Sequence, residues 1–236
     1  MKNLIIILVQ LIPILQEQLP SSYDLREAEI FTPVKHQMNL GSCGAFAAVA
    51  LTEALIKKET GKTVDLSEQH VINMSDEWKA SGISSVDAIK FITENGIVKE
   101  SVLPYEDKKT KKRPDHIYDF KLKEYHVIET HKMELREKVL TIKKVLVEYG
   151  PVASNMHIYL DFNDYREGIY EWNGIVSEEQ GHWVVILGWY DHFELKNGGY
   201  WICRNSWGPG WGENGYFRIP YGECGIDDYH FVYGIY

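Results

Sequence analysis

The stretch His36–Ala48 reads HQMNLGSCGAFAA, and the role of Cys43 within it decides the fold. Free cysteine is among the most buried residue types, so one reading makes Cys43 a small hydrophobe at the start of a helix. The other makes it a nucleophile. A thiol attacks carbonyls as thiolate, and a helix N-terminus and a neighbouring imidazolium both favour that form. The residues from Cys43 to about Lys58, CGAFAAVALTEALIKK, are apolar on most faces through Leu55. They predict a buried helix with Ser42 as N-cap and Gly61 as its stop. The helix end is therefore in place, and the nucleophilic reading needs a base and a group that orients the base.

The chain of 236 residues is long enough for one large domain or two packed lobes. With 44% hydrophobic residues, 7 Trp and 15 Tyr, it is globular in composition. The net charge of −9 argues against nucleic acid as a partner, because phosphate binding needs clustered Lys and Arg. The one basic run, Lys108–Arg113 (KKTKKR), reads as a solvated loop. Three widely spaced cysteines, with no C-x-x-C and no H-E-x-x-H, suit neither a zinc site nor a disulfide framework. No metal or cofactor is expected.

Residues 1–18 form a separate segment. Lys2 followed by the apolar run Leu4–Leu15, interrupted at Gln10 and Pro13, is too short to span a bilayer and fits the core of a secretory signal. Gln16, Glu17 and Gln18 are poor residues for a cleavage site, and the alternative is an apolar segment packed on the fold. A signal implies secretion or an endomembrane, lysosome-like lumen; its absence implies the cytoplasm.

The rest is a helical half followed by a strand-rich half. LSEQHVIN starts a helix capped by Ser67, and SSVDAIKFITENG starts another in which Ser84 and Asp87 resemble a capping box and Gly96 is the stop. LKEYHVIE reads as a strand. In ELREKVLTIKKVLVEYGP, Leu135, Val139, Ile142, Leu146 and Tyr149 recur at helical spacing. PVASNMHI, HWVVILGWY, GYWICRNSW and GYFRIPY read as strands, and a last run, HFVYGIY, ends the chain. The polar loop from about Tyr105 to Tyr118 is the expected lobe boundary.

Among nine histidines His182 stands out, at the start of the fully apolar run in GHWVVILG. Downstream, Asn205 is an amide that can accept the ring N–H, and Trp207 an indole that can cover that bond. Gln37, six residues before Cys43, can donate to an oxyanion together with the Cys43 backbone N–H.

These pieces resemble a papain-like cysteine peptidase, the papain and cathepsin family. LPSSYDLRE, TPVKHQ, GSCGAF, LSEQ, GPVASNM, DFNDYREGIY, GHWVVILGW and NSWGPGWGENGYFRI occur in the family's order and cover nearly everything from Leu19 onward. His182 lies about 140 residues after Cys43, inside the family's range. The resemblance implies an α+β fold of two lobes: a helical lobe over about 32–118 and an antiparallel, β-barrel-like lobe over about 119–222, with a cleft between them and the chain ends crossing between lobes. It implies Cys43 as nucleophile, His182 as general base and acid, Asn205 as orienter of the ring, and Gln37 with the Cys43 amide as oxyanion hole. Asn155 and Tyr229 would line the pocket for the side chain two before the scissile bond, with Trp183 near it. Peptides or proteins are the implied substrates, a protein inhibitor an implied occupant of the cleft, and a monomer the implied state. The alternative is a pseudo-peptidase that keeps the fold and binds without turnover; thiol acyl transfer to another acceptor would use the same residues.

The sequence departs from the family at several points. The family's cysteine three before the nucleophile and tryptophan just after it are Leu40 and Gly44 here. The half-cystines expected after LSEQ are missing, and Cys224 lacks its usual partner. Cys203 falls on a predicted core strand, so no disulfide is expected. Fewer than twenty residues precede LPSSYD, where relatives carry a long inhibitory pro-segment.

Overall fold

The computed structural model describes residues 19–79, 82–116, 118–175 and 180–236. The signal-like segment 1–18 lies outside them. Among the described residues four α-helices and seven strands form in the order β1 (Ser22–Asp24), α1 (Cys43–Thr60), α2 (Glu68–Met74), α3 (Ser85–Asn95), β2 (Glu124–Glu129), α4 (Leu135–Glu148), β3 (Val152–Ile158), β4 (Gln180–Asp191), β5 (Gly199–Arg204), β6 (Tyr216–Pro220) and β7 (His230–Ile235).

The strands make one antiparallel sheet in the order β2-β7-β3-β4-β5-β6, with β1 pairing the far half of β4. It is open rather than a closed barrel: β2 and β6 are its edges. Two hydrophobic cores flank it. One gathers α4 residues such as Ile142 and Leu146 with Trp189, Trp201 and Phe217. The other gathers α1, α2 and α3 with Trp183, Val185 and Val232. Both faces of β4 are therefore buried, which is why its sequence is continuously apolar rather than alternating. Each such Leu or Ile, fully buried, is worth ~1.5–3 kcal/mol.

β4 also changes phase. Val184 and Ile186 face the α4 core, but after a register shift between Ile186 and Gly188 it is Leu187 and Trp189 that face it. A bulge of this kind re-aims side chains along a strand. Gly188 is required there, because a Cβ would meet the Tyr23 carbonyl of β1 at 2.3 Å.

The helix ends follow the expected chemistry with one exception. Ser67 accepts from His70 N–H at 3.0 Å and Ser84 from Asp87 N–H at 3.1 Å. Gly61 closes α1 with φ +71°. Ser42, however, does not cap α1 with its side chain. Its hydroxyl turns instead to the Leu40 carbonyl and the Tyr105 hydroxyl, at 3.2 and 3.0 Å. Gly44, in place of a tryptophan, permits very close packing in the helical half. A Cβ there would stand 2.0 Å from the Ile83 carbonyl, and Ser85 Oγ donates to the Gly44 carbonyl at 3.0 Å. The start of α3 thus rests on the backbone of the first turn of α1.

Where the chain approaches the cleft, Lys35 reaches into the helical half. Its ammonium lies 2.9 Å from Glu53 of α1, 3.0 Å from Glu68 and 2.7 Å from Asp65. Glu53 and Glu68 are buried, and burial pushes the Glu68 carboxyl up to about 8 despite Lys35.

Candidate active site

The strand side of the site is built by the sheet. His182 enters β4 opposite Met156 of β3 and is only 3% exposed. Its Nε2 lies 2.7 Å from Asn205 Oδ1. Asn205 stands just past β5, and its N–H donates to the Gly215 carbonyl at 2.9 Å. The Ser206 backbone N–H also donates to Asn205 Oδ1, at 2.7 Å. A backbone N–H can only donate, so this bond fixes the orientation of the amide. Oδ1 is then an acceptor for His182, Nε2 carries the ring proton, and the lone pair of the neutral ring is on Nδ1. The Trp207 ring lies 5.0 Å from the imidazole, tilted by 35°, and continues into Trp211 and Phe162.

The helical side is built by the loop before α1. Gln37 is 7% exposed and held at both ends of its amide. Nε2 donates to the Leu40 carbonyl at 3.1 Å, and Oε1 accepts from Ser206 Oγ at 2.6 Å. Nε2 has a second hydrogen to offer. The Gln37 N–H donates to the Ser206 carbonyl at 2.8 Å and Gly208 N–H to the Lys35 carbonyl at 3.0 Å, so the two sides are stitched along 35–37 and 206–208. Gln37, Cys43, His182 and Trp207 all line one cleft of about 1040 Å³, together with Met38 and Arg166.

Burial pushes the Cys43 thiol above its ordinary value, and the backbone N–H groups of Trp183, Gly44 and Cys43 itself offset part of that rise. Burial also lowers the His182 imidazole to about 4, opposed by its bond to Asn205. Burial thus drives each group towards neutrality taken singly.

The structure brings Cys43, His182, Asn205, Gln37 and Trp207 together but not every residue named from the sequence. Trp183 follows His182 on a strand, so its indole points to the opposite face. It is 7% exposed, packs in the helical core and lies 5.5 Å from the His230 ring. Its backbone N–H, not its indole, faces the site. Asn155 pairs with Trp183 across β3 and β4, and its amide lies beside Gly181 at the cleft edge. Tyr229 is 45% exposed and its hydroxyl lies 2.7 Å from His157 Nε2. His157, two residues from Asn155 on the same strand face, was not singled out from the sequence; the period-2 rule would have found it. Ser206 and Tyr105 were also missed, for their bonds to Gln37 join residues far apart in the chain. Cys43, Cys203 and Cys224 are all free thiols.

Residues 19–234 match the family model described as papain family cysteine protease. The chain is 31% identical to mouse cathepsin 7 over 90% of its length, covering 65% of that protein. It is 34% identical to procathepsin L of Felis catus over 89% of its length, covering 64% of that relative. It thus spans just under two thirds of these curated relatives. Among solved structures it resembles bromelain from Ananas comosus in complex with the E64 inhibitor, with a TM-score of 0.75, 26% identity, and 92% of this chain and 99% of that one covered. It also resembles procathepsin L2 from the larval midgut of Tenebrio molitor, with a TM-score of 0.79, 27% identity, and 92% and 68% covered. With a family match over almost the whole described chain, and a cleft that unites Cys43, His182 and Gln37 with Asn205 bonded to His182 behind it, this chain belongs to the papain family of cysteine proteases.

Proposed function

We propose that the chain is a cysteine-type peptidase that cleaves peptide bonds through a thioester on Cys43. The observation that carries this reading is the 2.7 Å bond from His182 Nε2 to Asn205 Oδ1, which leaves Nδ1 as the ring's proton acceptor in a cleft shared with Cys43. In acylation Nδ1 takes the thiol proton as sulfur attacks the substrate carbonyl. The carbonyl oxygen gains negative charge, and the free hydrogen of Gln37 Nε2 and the Cys43 N–H donate to it. The C–N bond then breaks, and the imidazolium returns the proton to the leaving amine. In deacylation the ring removes a proton from water, water attacks the thioester, and the thiol leaves with that proton. Asn205 holds the ring throughout, and Trp207 shields the bond between them.

All four chemical positions of the family are occupied, which favours turnover over the pseudo-peptidase reading. Asn155, with Tyr229 and His157 beside it, forms the polar edge of the acyl-side pocket. The substrates are peptides or unfolded proteins, a protein inhibitor fits the same cleft, and the chain acts as a monomer. We place it in a secretory or lysosome-like lumen, as the signal-like segment suggests; among the described residues no helix is long and apolar enough to cross a membrane. The lobes divide at about residues 118–119.

Substitution tests the chemistry. Cys43→Ala is expected to lower hydrolysis of an unstructured protein by roughly 10⁴- to 10⁶-fold with the fold intact, and His182→Ala nearly as much, since the two act as a unit. An active-site-directed epoxide followed by peptide mapping is expected to label Cys43. Wild-type turnover in the Cys43→Ala protein would sink the reading.

A further inference from the structure

The oxyanion loop, residues 38–41, is tied by no disulfide, since all three cysteines are free. What grips it is Asp107, 67–68 residues away. Asp107 Oδ1 accepts the backbone N–H groups of Asn39 at 3.0 Å and Leu40 at 2.8 Å, and Oδ2 accepts Asn39 Nδ2 at 3.2 Å. Three donors on one carboxylate are charge-assisted bonds, stronger than bonds between neutral groups. The opposite side of the same residue, the Leu40 carbonyl, accepts Gln37 Nε2 at 3.1 Å and the Ser42 N–H at 2.6 Å. Leu40 therefore stands between the Asp107 carboxylate and both expected oxyanion donors, the Gln37 amide directly and the Cys43 N–H one residue beyond Ser42. Tyr105, two residues before Asp107, holds the loop's ends: its hydroxyl donates to the Gln37 carbonyl at 2.6 Å and lies 3.0 Å from Ser42 Oγ. Met38 and Asp107 both have left-handed backbones without being glycine, with φ +56° and +53°. Such conformations persist only where the surroundings hold them.

We propose that Asp107 is a positioning residue for the oxyanion hole: by fixing Leu40 it fixes where Gln37 Nε2 points. The inference rests on the peptidase reading above. It separates two reactions of one thiol. Peptide hydrolysis passes through an oxyanion, whereas alkylation of Cys43 by iodoacetamide displaces iodide and forms none. Losing an oxyanion donor outright costs about 10²–10³-fold, so misplacing one costs less.

The test compares both reactions in the full chain. Asp107→Ala is expected to lower kcat/KM for a peptide amide about tenfold, through kcat rather than KM. The rate of Cys43 alkylation, followed by peptide mapping, stays within about twofold of wild type. Asp107→Asn keeps the shape and one acceptor oxygen while losing the charge; it is expected to fall between the two and decides the matter if the alanine variant folds poorly. In a Gln37→Ala background Asp107→Ala is expected to cost little more, because residues acting through one contact are not additive. Undiminished hydrolysis, an equal fall in hydrolysis and alkylation, or the full loss persisting without Gln37 would each overturn the proposal while leaving the peptidase reading intact. Absence of turnover in the wild-type protein, with Cys43 still alkylated, overturns the peptidase reading itself.

Discussion

The His182 side of the cleft is held by a ladder of paired strands, whereas the Gln37–Cys43 side is held by one short backbone bridge along 35–37 and 206–208 and by single side-chain bonds from segments as far as 169 residues away. On the strand side, residue position follows from register: a one-residue slip of β4 would move every side chain to the other face, and both faces are buried. On the loop side, beyond that short bridge, the contacts are single polar groups reaching in from distant segments. The first arrangement averages its strength over many backbone bonds. The second concentrates it in a few residues, so it should break more readily under single substitutions.

The largest expected break is at Lys35. Lys35→Met removes the cation that faces buried Glu53 and Glu68. Stranding one partner of a buried ion pair costs ~3–5 kcal/mol. Urea unfolding of this variant checks it, and a midpoint equal to wild type would show that the cluster is not what secures this side.

Next comes the oxyanion donor. Gln37→Ala is expected to lower kcat/KM by about 10²–10³-fold, mostly in kcat. Ser206→Ala, which removes the hydroxyl donor to Gln37 Oε1 but leaves the amide in place, should cost less. Steady-state kinetics on one amide substrate ranks the two, and a Ser206→Ala loss equal to that of Gln37→Ala would make the hydroxyl as important as the donor itself.

A smaller effect appears with pH, away from both walls. Burial lowers the His70 imidazole of α2 to about 4, with His116 nearby adding to the shift. The folded state then binds fewer protons than the unfolded state between about pH 4 and 6.5, so stability falls as pH drops through that window. At pH 5 the loss from such a shift is about 2 kcal/mol. His182 acts in the same direction, while Glu68, raised to about 8, adds stability lost as pH rises from about 4.5 through 8. Comparing wild type with His70→Asn cancels the Glu68 and His182 contributions. The variant, whose amide oxygen can still accept the Val98 N–H that His70 Nδ1 accepts, should show a shallower loss of Tm between pH 6.5 and 4. Parallel Tm curves would mean His70 titrates alike in both states.

The smallest expected effect is none. With three free thiols, reductant should leave Tm unchanged, and the denatured, unreduced protein should titrate three thiols. A count of one would mean a Cys203–Cys224 bridge and a covalent support that the hydrogen-bonded loop side lacks.

Much of this was readable from residue order. The apolar run after Cys43, the helical spacing of Val139, Ile142 and Leu146, the serine caps at Ser67 and Ser84, and the β-branched runs around His182 and Cys203 each depend on neighbours within a few residues. Periodicity and capping are local, so the four α-helices and strands β2 to β6 were legible in sequence alone, as were the types of group available for chemistry at Cys43, His182, Asn205 and Gln37, whereas β1 and β7 were not. Tertiary structure decided where those groups point. The register shift at Ile186–Gly188 depends on β1 and β5 pairing with β4, and the inward turn of the Trp183 indole on which core forms behind that strand. The Ser42 hydroxyl is spent on Tyr105 and the Leu40 carbonyl rather than on capping α1. Asp107 meets Asn39 and Leu40 across more than sixty residues, and no local pattern marks such a pair. Its position is set only when the loop that carries it has packed against the start of α1.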